Sequence, residues 1–220
     1  MLYLVSTPIG NLEDISLRAL AVLKSVDLVL AEDTRVTKKF FYHYNINTKL
    51  LSWHQHSQAK DFAKIKDYFA SDKNIALVSD AGTPGVSDPG GKLIELVLEQ
   101  FPETKIIPIP GASALTAIIS VAGIAMDRFL FLGYLPHKKG RETLIREIKE
   151  SKIPIVFFES VHRIIKALSQ LEDSSKHLIV GRELTKQFET IYRGTAKEIK
   201  AVLEKDKSQV KGEFVVIVNK

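Results

Sequence analysis

Residues 79–91, SDAGTPGVSDPGG, form a glycine-rich loop that directly follows the β-branched run NIALVS (74–79). The loop holds four glycines, two prolines, two serines and two aspartates. Glycine permits positive φ and a close approach of the backbone, and proline stiffens the chain, so backbone N–H groups are aimed at a ligand. Loops at the carboxyl ends of strands form the usual ligand crevice of open α/β sheets. A turn without a ligand is the alternative, but the length and rigidity of this loop favour a binding site.

Short β-branched runs alternate with helical patterns on both sides of this loop. In the first half, strands are predicted at 2–6, 28–31, 49–52, 74–79 and 105–109, and helices at 16–25, 34–44, 57–70 and 92–100. In the second half, strands are predicted at 129–135, 153–159, 177–181, 188–192 and 213–218, and helices at 141–150, 161–170 and 195–203. The alternation indicates parallel pairing and an α/β layer fold. Because 188–192 follows 177–181 with little room for a crossover helix, the second half should mix parallel and antiparallel strands.

The domain boundary is predicted at the PGAS turn (110–113) or just after the helix that follows it. It separates an N-terminal α/β domain at 1–112, which carries the glycine-rich loop, from a C-terminal α/β domain with a mixed sheet at 113–220. The weakly polar segment 114–126 has thirteen residues, fewer than the roughly 20 that a membrane span needs, and is expected to form a buried helix. The N terminus lacks the basic and apolar regions of a signal peptide. We therefore expect a cytoplasmic protein without a membrane segment.

The composition is that of an ordinary globular protein, with 45% apolar and 26% charged residues, which excludes disordered and collagen-like classes. The chain has no cysteine, so thiolate metal sites, thiol nucleophiles and disulfides are excluded, and no metal site is predicted. Residues 1–110 hold 12 Lys and Arg against 13 Asp and Glu, and residues 111–220 hold 19 against 13, so the halves carry −1 and +6. This asymmetry is a weak indication of a polyanionic partner, and a solvated lysine-rich surface explains it equally well.

The glycine-rich loop does not fit the known nucleotide-binding loops. Gly91 rather than a lysine follows Gly90, so the Walker pattern fails, and G-x-G-x-x-G and G-x-S-x-G are absent. TPIGNLED (7–14) and PGASA (110–114) are two further rigid loops at predicted strand ends. Each alone is more often a turn, but three of them at strand ends of one sheet favour a shared site.

Polar clusters follow other predicted strands. AEDTR (31–35) is either a helix N-cap with a salt bridge or part of a substrate site, and the sequence leaves both open. His54 follows Trp53, and a surface histidine is its more common explanation. FESVHR (158–163) and GRELTK (181–186) place further charged residues at strand ends in the second half.

Eight ordered motifs together resemble one enzyme family. The chain is similar to the ribosomal RNA small-subunit methyltransferase I family, within the tetrapyrrole-methylase-like class, in TPIGNLEDISLRAL, AEDTR, SDAGTPGVSDPG, PGASAL, FLGYLPHKKGRE, FFESVHR, RELTKQFETIYRGT and KGEFVVIV. The resemblance implies two α/β domains with S-adenosylmethionine in the cleft between them, and a homodimer. It also implies 2′-O-methylation of a cytidine ribose in the 16S rRNA of the small ribosomal subunit.

Methyl transfer to a ribose hydroxyl requires alignment of the donor methyl with the 2′-oxygen and a base for the hydroxyl proton. The candidate catalytic residues are Glu32, Asp33 and His54, and also Lys186 if burial lowers its pKa. Arginine suits phosphate contacts because guanidinium pairs with phosphate oxygens in bidentate fashion. The expected RNA contacts are Arg18, Arg35, Lys38, Lys39, Arg163 and Lys186. The expected cofactor contacts are Pro8, Gly10, Asp80, Gly82, Thr83, Pro84, Ser87, Asp88, Ser113, Ala114, Leu132, Gly133, Phe158, Glu159, Arg182, Glu183 and Leu184.

Two other functions are alternatives. One is a methyltransferase of the same fold that acts on a tetrapyrrole-like small molecule or on a protein side chain. The other is a non-catalytic ribosome-binding homologue. The cluster KKGR (138–141) and the positive second half favour RNA over a small substrate.

Overall fold

The computed structural model describes residues 1–54, 57, 59–88, 90–206 and 210–220, and it describes only the backbone of 59 and 60. Pro89 of the glycine-rich loop and Gln58 of the predicted helix 57–70 lie outside the described residues. The chain divides into two compact units, residues Met1–Ser113 and Ala114–Lys220. Each contains a five-stranded sheet with helices, so the predicted α/β class is confirmed. None of the described helices is long and apolar enough to cross a bilayer.

The first unit is built on a fully parallel sheet in the order β3-β2-β4-β1-β5. The strands are β1 (Leu2–Val5), β2 (Leu28–Ala31), β3 (Leu50–Ser52), β4 (Ile75–Val78) and β5 (Ile106–Ile109). The helices are α1 (Leu17–Ser25), α2 (Thr34–His43), α3 (Ala59–Phe62), α4 (Lys66–Ala70) and α5 (Gly90–Gln100). The predicted parallel pairing of this half is confirmed.

Both faces of the first sheet are buried, as a parallel sheet requires. Successive side chains of a strand point to opposite faces. Leu28 and Leu30 of β2 therefore pack in the cluster that contains Trp53, whereas Val29 and Ala31 pack in the cluster on the other face. Because the polar loops are excluded from both clusters, they gather at the strand ends.

The second unit has a mixed sheet in the order β6-β7-β10-β8-β9, in which only the β6–β7 pair is parallel. The strands are β6 (Leu130–Tyr134), β7 (Ile155–Ser160), β8 (His177–Arg182), β9 (Thr190–Thr195) and β10 (Glu213–Val218). The helices are α6 (Ala114–Ser120), α7 (Arg141–Glu150), α8 (Ile164–Leu171) and α9 (Ala196–Lys205). Residues of α7, α8 and α9 share one buried cluster with β7, β8 and β10. On α6, Ile118 reaches Gly181, where an added Cβ would lie 2.7 Å from the Ile118 Cδ1 atom.

Two predicted helices are wrong in length. The helix expected at 57–70 is two short helices, α3 and α4, although Phe62, Ile65 and Phe69 are all buried as their spacing indicated. Stacking of Phe69 on Phe62 (5.9 Å between ring centroids) is achieved without a continuous helix. The buried helix expected at 114–126 ends at Ser120, and Val121 is exposed. Gly123 adopts φ +69°, which does not continue a right-handed helix.

The strand expected at 188–192 is displaced to β9 (Thr190–Thr195). Phe188 belongs to the preceding turn and is 65% exposed, while Thr185 in that turn has φ +66°. The helix expected at 161–170 begins at Ile164 after a turn that the Arg163 N–H closes on the Ser160 carbonyl at 3.0 Å. In both places the hydrophobic pattern of the sequence extends into residues that form a turn in the structure.

Candidate functional site

The three rigid loops of the first unit are fastened together at one edge of its sheet. Since β4, β1 and β5 are neighbours, the loops that follow them begin side by side. Thr7 and Gly82 exchange two backbone hydrogen bonds of 2.9 and 3.0 Å. The Ser6 hydroxyl donates to the Thr83 hydroxyl (3.0 Å), which in turn donates to the Ala112 carbonyl (3.1 Å). The expected meeting of these loops is therefore observed within this unit.

The glycine-rich loop is held in shape by its own residues. One Asp88 carboxylate oxygen accepts hydrogen bonds from the backbone N–H groups of Gly85 and Gly90. Gly82 and Gly85 have φ of +84° and +89°, a region that favours glycine. An added Cβ at Gly90 would lie 2.8 Å from the Gly85 nitrogen. The segments around Gly85 and Gly90 thus lie so close together that no side chain fits between them.

Glu32, which directly follows β2, is a half-buried carboxylate at the same edge of the sheet. Burial raises its pKa, and the negative charges of Asp80 and Asp88 raise it further. A backbone hydrogen bond from Asp80 and the charge of His54 act in the opposite direction without reversing the shift. A carboxylate with a raised pKa is a stronger base than an ordinary one.

Asp33, the neighbouring residue, has the opposite character. Its carboxylate accepts from the Arg35 side chain, with 2.6 Å between Arg35 Nη2 and Asp33 Oδ2, and from the Arg35 backbone N–H at 2.8 Å. The Arg35 side-chain and backbone hydrogen bonds lower the pKa of Asp33 to about 2. Asp33 is the N-cap of α2, so the structural alternative for AEDTR is observed, and a carboxylate this acidic is a poor base.

The remaining residues expected in the first unit lie along these loops. His54 is exposed, and its backbone N–H donates to the Ser57 hydroxyl at 3.1 Å. The backbone N–H of Asp33 donates to Asp80 at 2.9 Å, which ties the ends of β2 and β4. Gly10, Asp80 and Ser87 are exposed, Pro8 and Ser113 are half-buried, and Pro84 is buried. Ala114, the first residue of the second unit, is half-buried.

In the second unit, Glu159 sits in a closed ion cluster. Its side chain is completely buried and pairs with Arg141 at 3.1 Å and with Arg163 at 2.8 Å. Arg141 also donates to Gln170 and to the Pro136 carbonyl, and Arg163 donates to the Leu135 carbonyl at 2.8 Å. These bonds hold Glu159 and Arg163 in place within the second unit, and contact of Glu159 with a cofactor and of Arg163 with phosphate stay predictions.

Lys186 is also engaged, between Glu183 (2.8 Å) and Glu213 (3.0 Å). Burial acts to lower its pKa, but the hydrogen bonds to the two glutamates outweigh burial and raise the pKa. The condition under which Lys186 would serve as a base is therefore not met. Arg182 is buried, and its side chain donates to the carbonyls of Lys211 (2.8 Å) and Phe188 (3.3 Å).

Comparison with known proteins agrees with this arrangement. The family model for tetrapyrrole (corrin/porphyrin) methylases matches residues 1–200. A Neisseria meningitidis serogroup B protein named ribosomal RNA small subunit methyltransferase I is 44% identical over 220 residues, which cover 99% of this chain and 75% of that protein. A Borrelia garinii subsp. bavariensis protein of the same name is 42% identical and is covered to 99%, with 100% of this chain.

The chain belongs to the ribosomal RNA small subunit methyltransferase I family of tetrapyrrole methylases. It is a methyltransferase. Solved structures of diphthine synthase (TM-score 0.73, 17% identity, 100% of this chain and 90% of that one) and of cobalt precorrin-4 methyltransferase (TM-score 0.69, 18% identity, 98% and 93%) share its fold. At such identities the likeness concerns the fold alone.

Several residues expected from the family resemblance stay predictions. Gly133 has φ +60° at an irregularity in the β6–β7 register, and Phe158 packs edge-on against Phe131 (5.0 Å). Leu132 packs against the buried cluster, and Leu184 is buried. Their contact with a cofactor, and the expected cleft between domains, stay predictions.

The predicted RNA-binding cations divide into two groups. Arg18 on α1 and Arg35, Lys38 and Lys39 on α2 are exposed. Arg163 and Lys186 are bound by carboxylates. Arg141 is the last residue of the KKGR cluster that favoured RNA, and its side chain is only 3% exposed. Ser6 was not predicted as a site residue, although a serine at the last predicted residue of a strand is a signal that could have been used.

Proposed function

We propose that this protein methylates the ribose 2′-hydroxyl of a cytidine in 16S rRNA, with S-adenosylmethionine as the methyl donor. The observation that carries the proposal is that the family's first four motifs meet at one edge of the first sheet, through hydrogen bonds of Thr7 with Gly82, of Asp33 with Asp80 and of Thr83 with Ala112. Relatives at 42–44% identity bear a name that specifies small-subunit ribosomal RNA.

The glycine-rich loop fits a cofactor with a zwitterionic methionine end. A Cβ added at Gly82 would lie 3.3 Å from Ile9 Cγ2, and one added at Gly90 would lie 2.8 Å from the Gly85 nitrogen. This crowding requires glycine at both positions and so fixes the shape of the loop. The residues proposed to hold the cofactor are Gly10, Gly82, Thr83, Pro84, Ser87, Asp88, Ser113 and Ala114, whereas Pro8 and Asp80, also expected there, line a separate pocket toward α2. When bound, S-adenosylmethionine supplies an electrophilic methyl group.

Glu32 is the proposed proton acceptor. Of the four candidates, Asp33 is too acidic and Lys186 is held as a cation between two glutamates. The raised pKa of Glu32 suits a group that takes the hydroxyl proton as the ribose oxygen bonds to the methyl carbon. His54, whose charge reaches Glu32, is proposed to assist by orienting the ribose or relaying the proton.

Exposed cations on α1 and α2 are proposed to contact RNA phosphates, namely Arg18, Arg35, Lys38 and Lys39. Each neutralised phosphate of a single strand contributes about 0.7 to the slope of log affinity against log salt. Binding of a tetrapyrrole or of a protein side chain would lack this dependence. Strong salt dependence of substrate binding therefore favours RNA over the small-molecule alternative.

The test is methylation of small ribosomal subunits, and of free 16S rRNA, by the purified protein with methyl-labelled S-adenosylmethionine. We expect label in one alkali-resistant dinucleotide, because a 2′-O-methyl group blocks cleavage, and no label when the target ribose is 2′-deoxy. Cofactor binding by calorimetry without transfer to any RNA would instead support the non-catalytic homologue. Label in a base rather than a ribose would contradict the proposal.

A further inference from the structure

A pocket of about 250 Å³ lies within the first unit, between the loop after β1 and helix α2. Its walls are apolar and come from Pro8, Leu12, Val36 and Phe40. Leu12 is 37% exposed and Val36 42% exposed, so hydrophobic surface is left open to solvent on both sides of the entrance. Surface of this kind marks a binding groove when polar residues rim it.

The inner end of the pocket is polar. Thr7, Ser79 and Asp80 line it where β1 and β4 end, the same edge that carries the glycine-rich loop and Glu32. The Thr7 hydroxyl is already committed to the Ser79 carbonyl at 3.2 Å. Asp80 accepts one backbone N–H from Asp33 and keeps acceptor capacity, because a carboxylate has about four lone-pair sites.

The rim of the pocket is cationic. Lys39 lines it, and Arg35 and Lys38 are exposed on the same helix. No described carboxylate forms an ion pair with Lys38 or Lys39. An occupant that carries phosphate is therefore favoured over the adenine of S-adenosylmethionine, which brings no phosphate.

We propose that this pocket receives the base of the target nucleotide, swung out of the RNA, and that Asp80 accepts a hydrogen bond from the cytosine amino group. The inference rests on the proposed function. The volume is below the roughly 300–1,000 Å³ of pockets for drug-sized ligands and suits a single ring. Phe40 offers an aromatic surface for stacking, and a carboxylate is the side chain that accepts from the cytosine N4 amino group.

The experiment compares Phe40→Ala with Tyr42→Ala. Tyr42 lies on the same helix, is 88% exposed and does not line the pocket. Loss of one stacked base weakens binding by about 5- to 150-fold, so Phe40→Ala should raise the KM for RNA by that factor and leave the Kd for S-adenosylmethionine unchanged. Tyr42→Ala should change neither constant. Weakened cofactor binding in Phe40→Ala would assign the pocket to the cofactor and overturn the proposal.

Since Phe40 also packs against the core, a second variant fills the pocket instead of emptying it. Val36→Trp changes an exposed position and should raise the KM for RNA without loss of fold. Asp80→Asn should reduce the ratio of methylation rates for a target cytidine over a target uridine, a ratio that is insensitive to weaker cofactor binding. An unchanged KM in Val36→Trp and an unchanged ratio in Asp80→Asn would refute the inference.

The wild-type protein separates this inference from the proposed function. If it methylates no RNA, the proposed function fails. The pocket is then tested by NMR titration with cytidine 5′-monophosphate, in which we expect shifts at Thr37 and Phe40 that Val36→Trp abolishes. Absence of those shifts would overturn the pocket proposal.

Discussion

Glu32, which directly follows β2, and Glu159, near the end of β7, lie in opposite electrostatic surroundings. Glu159 is fully enclosed and each of its oxygens meets an arginine. Glu32 is only half-buried. Burial raises its pKa, and the negative charges of Asp80 and Asp88 raise it further. The charge of Glu159 is thus neutralised by arginines, whereas that of Glu32 is not favoured by its surroundings. This difference supports the proposals that Glu159 stabilises its unit and that Glu32 accepts the proton.

The largest effect is expected from Glu32→Gln. A positioned base contributes about 10²–10⁴-fold to a rate, so kcat for methyl transfer should fall by that factor. In the wild-type protein kcat should rise with pH through the raised pKa of Glu32, and the residual rate of the variant should lack this rise. A pH–rate profile of Glu32→Gln that matches the wild type would remove Glu32 as the base.

The same variant should be more stable than the wild type at neutral pH. A folded-state pKa raised above the ordinary value of 4.5 gives a contribution to stability that is complete below the unfolded pKa and is lost as pH rises through the folded pKa. Urea unfolding at pH 7 and pH 4 checks this. The gain should be present at pH 7 and absent at pH 4.

Glu159→Ala should have the largest effect on folding. Its removal leaves the buried Arg141 without a counter-charge, and breaking a buried ion pair in this way costs about 3–5 kcal/mol. Glu95→Gln, which removes an exposed i,i+3 partner of Lys92, is the control and should change the free energy of unfolding by less than about 0.5 kcal/mol. Equal losses in the two variants would mean that Glu159 is not a structural anchor.

Two adjacent glycines test the shape of the binding loop. Gly90→Ala places a Cβ 2.8 Å from the Gly85 nitrogen, and such overpacking costs about 1–3 kcal/mol. It should also weaken S-adenosylmethionine binding, since the loop must move. An added Cβ at Gly91 meets nothing within 4 Å, so Gly91→Ala should stabilise α5 by about 0.4–1 kcal/mol. Calorimetry of cofactor binding and urea unfolding distinguish the two.

Arg35→Ala should have the smallest effect and should separate capping from RNA binding. Without the guanidinium, the pKa of Asp33 should rise from about 2 toward its ordinary value, as followed by carboxyl NMR. The stability that ionised Asp33 contributes above its unfolded pKa, and loses as pH falls through 2, should shrink accordingly. RNA binding should weaken with a shallower salt dependence. An altered Asp33 pKa with unchanged RNA binding would mean that Arg35 supports the N-cap Asp33 and does not contact RNA.

Much of the first unit was predictable because each signal is local. Leu28–Ala31 is apolar at every position, which is typical of a parallel strand buried on both faces, and the helix N-cap that AEDTR offered as one alternative is observed at Asp33. The helix at 57–70 and the strand at 188–192 were mispredicted because the hydrophobic pattern of a sequence does not show where a turn interrupts a helix or a strand.

The sequence by itself determined the α/β class, the family and the positions of the loops at strand ends, since these depend on the order of residues along the chain. Only the tertiary structure decided what the charged residues do. Arg141 and Arg163 look like surface cations in the sequence, and Glu32 and Asp33 look equivalent. A charge acquires its role from the burial and the neighbouring charges that the fold brings to it. Those neighbours come from other elements of the chain, as Asp80, from the loop after β4, does for Glu32 and Arg141, on α7, does for Glu159.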